Sequence, residues 1–244
     1  MSESERAAAL LDYLRGRRDA MVELLVEIAS LESPSDVPAA QLHVQARLTR
    51  ALEERGFMVR HIAGRATGGH LYARPATRIR GRACQLLIGH SDTVWPLGTT
   101  RSMPVVVENG LVRGPGTFDM KAGLVQGLFA LEALSAVGLE PPATPVWIIN
   151  SDEEIGSPES KRCVRLVARH VARAFVLEPA YGPEGRLKTA RKGIVRFRVT
   201  VRGIPAHAGL DPTAGASAIV EMSDVILRLH ALTDLERGTT VNVG

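Results

Sequence analysis

The sequence predicts an α/β fold: a largely parallel, mixed sheet flanked by helices, followed by the first part of a smaller α+β domain. Three apolar runs carry the prediction, residues 83–89 (ACQLLIG), 145–150 (PVWIIN) and 174–177 (AFVL), each short enough to be a buried strand. Helical patterns over 120–137 and 158–171 separate them. Strands alternating with helices of that length argue for parallel strands joined by crossovers.

The elements follow in chain order. Met21, Leu24, Leu25, Ile28 and Leu31 recur at i, i+3, i+4, i+7 and predict a helix over 20–32. Ser33-Pro34-Ser35 ends it, because proline drives its predecessor out of the helical region. Val44, Leu48, Ala51 and Leu52 give a second helix over 39–55, closed by Gly56. Short strands are expected at 57–62 and 70–73. The glycine- and proline-bearing segment 181–185 marks the domain boundary, giving domains 1–185 and 186–244. Beyond it, Val195, Phe197, Val199 and Val201 alternate with Arg196, Arg198 and Arg202 and predict a strand over 194–202. A helix over 217–232 and the start of a strand at 239–244 complete the expectation. Strand, helix and part of a strand are too little for a self-contained domain, so this second domain is expected to be incomplete.

Composition narrows the function. Hydrophobic residues make up 45% and charged residues 23%, which excludes disorder as the main state. Only Cys84 and Cys163 occur, which excludes both a disulfide scaffold and a four-cysteine zinc site. Any metal must be held by histidine and carboxylates. Residues 1–20 place charge where a signal peptide needs an apolar stretch, and no run approaches a membrane span. A cytoplasmic protein without a membrane partner is the expectation. The net charge of +4 comes from residues 161–202, where twelve Lys or Arg face only Glu178 and Glu184. These basic residues fall at surface positions of a helix and a strand. With 4% aromatic residues and no recognisable nucleic-acid module, a nucleic-acid partner is not expected.

The chemistry-bearing residues sit where strands end. The run 83–89 leads into His90-Ser91-Asp92, the run 145–150 into Ser151-Asp152-Glu153-Glu154, and the run 174–177 into Glu178. Ligands of open α/β sheets bind just outside the carboxyl ends of the strands. His90, Glu153, Glu154 and Glu178 are therefore expected on one rim. The glycine-rich turn GPGTFDMKAG can deliver Asp119 to the same rim. No Gly-Lys-Ser/Thr follows, so this turn is not a phosphate loop of the Walker type. So many carboxylates beside one imidazole repel one another unless a cation compensates, and the donor mix suits zinc or a similar divalent metal.

The segments LLIGHSDTVWP, RGPGTFDMKAG, NSDEEIGS, VLEPA and RGIPAHAGLDPTAGASAI resemble the co-catalytic di-zinc metallopeptidase family of glutamate carboxypeptidase, acetylornithine deacetylase and succinyl-diaminopimelate desuccinylase. NSDEEIGS and VLEPA are most similar to the glutamate carboxypeptidase branch. The resemblance spans nearly the whole chain. It implies a zinc-binding α/β catalytic domain interrupted by a lid domain through which the full-length protein forms a homodimer. It implies two Zn2+ per complete site, with Co2+ or Mn2+ as substitutes. His90 and Glu178 would bind one zinc, Asp119 would bridge both, and Glu154 would bind the second. Asp92 would orient His90, Glu153 would be the general base, and His207 would donate to the oxyanion. A cis peptide at Asp119–Met120 is also implied.

The implied activity is hydrolysis of an amide or peptide bond next to a free carboxylate, in a small peptide or an N-acyl amino acid. Deacylation of an N-acyl amino acid is the alternative, and a catalytically silent fragment is another. The family's last zinc ligand, a histidine late in the full-length chain, and its lid asparagine and arginine have no counterpart in these residues; Asn242 stands in the wrong context. One tight zinc, slow turnover and a tendency to aggregate are expected of the chain as it stands.

Overall fold

The computed structural model describes residues 1–77, 79–182 and 184–244. Pro183, within the boundary segment, lies outside them. The described chain separates into two compact units, 1–187 and 188–244.

The first unit opens with α1 (Glu3–Gly16), which the sequence reading passed over. Its start is set by a capping box: Ser2 Oγ accepts from Glu5 N, and Glu5 Oε2 accepts from Ser2 N. Helix α2 (Arg18–Ser30) and helix α3 (Pro38–Glu53) follow, with proline in the first turn of α3, where its missing N–H costs nothing. Then come β1 (Phe57–Ile62), β2 (His70–Pro75) and β3 (Cys84–His90). The short helix α4 (Thr99–Ser102) and the hairpin β4 (Val106–Glu108) and β5 (Leu111–Arg113) lead to helix α5 (Ala122–Ala136). Strand β6 (Thr144–Asn150), helix α6 (Ser160–Ala168) and strand β7 (Arg173–Val176) complete the unit.

Five strands form one mixed sheet in the order β1-β2-β6-β3-β7. β3 pairs in parallel with β6 and β7, while β1 and β2 are antiparallel. The period-two alternation of β-strands sends side chains to two cores. Leu71, Ala73, Leu87, Trp147 and Ile149 join residues of α2, α3 and α5 on one face. Leu86, Val146 and Ile148 meet Cys163, Val164 and Val167 of α6 on the other. The architecture is thus helix–sheet–helix, with β6 buried along its whole length.

The expectation of a buried strand at 174–177 is corrected. β7 is exposed throughout, because it ends the sheet and pairs only with β3 among the described residues. An apolar run marks a strand but does not say whether it lies at an edge.

In the second unit, α7 (Ala218–His230) begins at the N-cap Ser217, whose hydroxyl accepts from Val220 N. The strands expected at 194–202 and 239–244 are absent. A strand exists only through its ladder, and the bridges described in this unit are isolated ones, Ile204 to Ala216 and Asp234 to Thr239. Ile194, Val195 and Phe197 are exposed. The basic residues of 161–202 likewise face solvent, as expected of them. Among the described residues no helix is long and apolar enough to cross a membrane.

Candidate metal centre

The register of the sheet puts three strand ends side by side. His90, the last residue of β3, pairs with Asn150, the last residue of β6. Ser151 to Glu154 turn away directly after it. On the other side Ile88 pairs with Val176, and Leu177 N donates to Ile88 O, so Glu178 emerges beside His90. Asp119 arrives from a turn of five residues, Thr117–Lys121, ahead of α5. Gly116, just before that turn, has φ +66, and a Cβ there would crowd the Thr93 methyl group, so glycine is required on both counts. Gly123 lets α5 approach the end of β7: a Cβ would overlap the Leu177 carbonyl oxygen. The Asp119–Met120 peptide is cis.

His90 is the hub. Its Nε2 lies 3.0 Å from Asp119 Oδ1, 3.6 Å from Glu178 Oε1 and 4.0 Å from Glu153 Oε2. Potential ligand atoms gather in two triads that share it, His90-Asp119-Glu154 and His90-Glu153-Glu178. The structure therefore brings together Glu153 and all four residues expected to bind metal. Distance alone does not separate base from ligand, because Glu153 lies in one of the triads. His90 is buried, Glu154 and Glu178 are partly buried, and Asp119 and Glu153 are open to solvent. That gradient is the form of a rim site, with the imidazole at its floor.

Asp92 stands behind His90 and is completely buried. Its Oδ1 lies 3.3 Å from His90 Nδ1, whose proton also faces the Asp92 carbonyl oxygen at 3.0 Å. The carboxylate further accepts from the backbone N–H groups of Glu153 (3.3 Å) and Glu154 (3.2 Å), and from Ser35 Oγ (2.7 Å). Sequence reasoning missed this last partner and others of its layer. Gln41 Nε2 donates to the carbonyls of Pro34 and Ser151. Asp152 Oδ2 accepts from Glu159 N and Ser160 N at the start of α6, which fixes the turn carrying Glu153 and Glu154. Lys121 Nζ, buried, donates to Leu31 O at 2.9 Å.

The charges are unbalanced without a cation. Burial disfavours a charged His90, but the hydrogen bond and charge of Asp92, with Glu178 and Glu153, outweigh it and raise the imidazole to about 9. Burial, helped by Asp119, Asp92 and Glu153 and opposed by His90, raises the Glu154 carboxyl to about 7. Glu178 is raised for the same first reason, burial, with Asp119 and Glu153 adding to it. Burial brings Lys121 down to about 7 against the pull of Asp92 and Glu32. A buried imidazole among carboxylates, two of which are raised by burial and by their neighbours' charge, forms a donor set that a divalent cation satisfies. The residues present fit such an ion.

His207 belongs to the second unit. Gly209 N donates to its Nδ1 at 3.1 Å, so in the neutral ring the proton sits on Nε2, which can donate. His170 and His230 are exposed at helix ends, and His61 lies 2.9 Å from Gly68 O.

Comparison with known proteins follows the same lines. The family described as Peptidase family M20/M25/M40 matches residues 86–234. Carboxypeptidase G2 of Pseudomonas sp. (strain RS-16) is 27% identical over 242 residues, covering 98% of this chain and 57% of that protein. Acetylornithine deacetylase of Myxococcus xanthus is 32% identical over 238 residues, covering 90% and 60%. Among solved structures, the di-peptidase Dug1p from Saccharomyces cerevisiae superposes with a TM-score of 0.65 at 15% identity, over 97% of this chain and 54% of that one. Aminopeptidase PepT from Bacillus cereus gives 0.61 at 21% identity, over 86% and 56%. At those identities the structures speak for the fold. The chain spans less than two thirds of the length of these curated relatives.

Proposed function

The chain belongs to peptidase family M20/M25/M40, and from that premise we propose that it is a zinc-dependent hydrolase of an amide or peptide bond next to a free carboxylate. The observation that carries this reading is the convergence of His90, Asp119, Glu153, Glu154 and Glu178 at adjacent strand ends. His90, Asp119 and Glu178 would hold one zinc, and Asp119 and Glu154 would contribute to a second. Bound there, zinc supplies Lewis acidity, polarising the scissile carbonyl and lowering the pKa of water.

The chain's own groups do the rest. Asp92 holds the His90 ring by its Nδ1 side and leaves Nε2 facing Asp119. Glu153, open to solvent and 4.0 Å from His90 Nε2, takes a proton from the attacking water and passes it to the leaving amine. Glu154 can act as a ligand beside it because a cation would favour its ionised form against the burial and the neighbouring carboxylates that raise its pKa. His207 enters on its motif and its Nε2 donor as the group that stabilises the developing oxyanion.

The glutamate carboxypeptidase branch is favoured by NSDEEIGS and VLEPA and by the match to carboxypeptidase G2 over 98% of the chain. Deacylation of an N-acyl amino acid is the second reading, favoured by the 32% identity to the deacetylase. Exposed Ile219, Val220 and Leu227 on α7 support dimerisation through the second unit.

Hydrolysis of C-terminal glutamate peptides against N-acyl amino acids, with zinc supplied, separates the two readings. Glu153→Gln is expected to lower kcat about 10²–10⁴-fold with metal retained. Glu154→Gln is expected to lower metal occupancy instead. Exchanged phenotypes would overturn the assignment.

A further inference from the structure

We propose that Ser35 is a positioning residue of the metal centre, fixing the Asp92 carboxylate and through it His90, Glu153 and Glu154. The proposal rests on the zinc reading above. Each Asp92 oxygen serves two groups. Oδ1 lies 3.3 Å from His90 Nδ1 and accepts from Glu153 N; Oδ2 accepts from Glu154 N at 3.2 Å and from Ser35 Oγ at 2.7 Å. Three of these four partners belong to residues that face the metal. They cannot supply the reference against which they are themselves placed. Among the described residues Ser35 is the donor that comes from elsewhere in the scaffold, and its contact is the shortest of the four.

Ser35 is itself held firmly. Residues 33–35 run alongside 91–93 as an added strap. Thr93 N donates to Ser33 O (2.9 Å), Ser35 N donates to Thr93 O (3.2 Å), and Ser33 Oγ donates to Ser91 O (2.6 Å). Gln41 ties the strap to the turn bearing Glu153 and Glu154 through the carbonyls of Pro34 (3.0 Å) and Ser151 (2.9 Å). Lys121, two residues from Asp119, anchors the other end of the strap at Leu31 O. Both serines are buried, but only Ser35 reaches Asp92. A carboxylate can rotate about its last bond. With Ser35 gone, Oδ2 keeps one backbone donor, and the orientation of the imidazole and of the Glu153-Glu154 turn loses its anchor.

Ser33→Ala is the matched control, because it removes an equally buried hydroxyl from the same strap without touching Asp92. Zinc affinity is measured by competition with a chelating dye on the full chain, and thermal unfolding is followed in parallel with EDTA. Ser35→Ala is expected to weaken zinc binding about 3- to 10-fold, below the roughly 10- to 100-fold effect of losing a direct outer partner of a metal ligand, because Ser35 acts through Asp92. Ser33→Ala is expected to lower the EDTA-state Tm by a similar amount and to leave zinc affinity unchanged. Ser35→Thr, which keeps the hydroxyl, is expected to bind zinc more tightly than Ser35→Ala. Equal zinc affinity in wild type and Ser35→Ala overturns the proposal, as does equal weakening by Ser33→Ala or a Thr variant no better than Ala. A wild-type chain that takes up no zinc overturns the zinc reading itself, and this proposal with it.

Discussion

Zinc binding to this chain must expel protons. In the metal-free protein the His90 imidazole titrates near 9, so at pH 6 it is almost fully protonated. The Glu154 carboxyl titrates near 7 and at pH 6 holds about 0.9 of a proton. A ligand imidazole must be neutral, and a nearby cation favours the ionised Glu154 carboxylate against the burial and the neighbouring charges that raise its pKa. At least about one proton, that of His90, should leave per zinc at pH 6, and Glu154 and Glu178, both raised, add to it. By pH 8 the share of His90 is still about 0.9 while that of Glu154 has fallen to about 0.1, and by pH 10 both are about 0.1 or less. Water on zinc titrates near 7 and adds little at pH 6, which makes that the diagnostic pH. Calorimetric titration with zinc in two buffers of different ionisation enthalpy reads the number directly. Asp92→Asn, which removes the leading support for the imidazolium, should reduce the release at pH 8. A release below about 0.5 at pH 6 would refute the reasoning, because His90 would then be neutral in the free protein or not a ligand at all.

The same groups set the stability of the metal-free protein. His90 and Glu154 both have folded pKa values above their unfolded ones, so each stabilises most at low pH. The share of Glu154 is lost as pH rises from about 4.5 to about 7, so Tm in EDTA should fall over that interval and fall less with zinc present, and a Tm in EDTA that rises over it would contradict the assignment; above 7 the loss of the His90 share is offset by Lys121, whose lowered pKa works in the opposite direction. Gly123→Ala would press a Cβ into the Leu177 carbonyl, one residue before Glu178. Overpacking of this kind costs about 1–3 kcal/mol, and urea unfolding together with zinc titration should show both lower stability and weaker binding. A fully stable variant with unchanged zinc affinity would mean that α5 and β7 adjust freely.

How much of this was legible in the sequence depended on which physical signal each residue leaves. His90, Glu153, Glu154 and Glu178 are readable because polar residues directly after apolar strands fall on one rim of a parallel sheet. Asp119 is readable through its glycine-rich turn. Ser35 is not, because Ser-Pro-Ser already has a sufficient explanation as a helix stop, and a hydrogen bond across 57 residues leaves no periodic trace. Gln41 is hidden for the same reason, as a polar residue on a helix whose neighbours set the pattern. Alternation at 194–202 reports which face is apolar and cannot supply a partner strand. The run at 174–177 reports a strand and not its place at the sheet edge. Helix α1 buries no residue, so its start is written in a capping box rather than in an apolar stripe.

The central claim is that His90 and the carboxylates around it hold zinc. Elemental analysis of the natively purified chain, beside His90→Ala prepared identically, tests it most directly. Close to one zinc per wild-type chain is expected, and almost none in a folded His90→Ala. A wild-type chain without transition metal, or a His90→Ala chain that keeps its zinc, would contradict it.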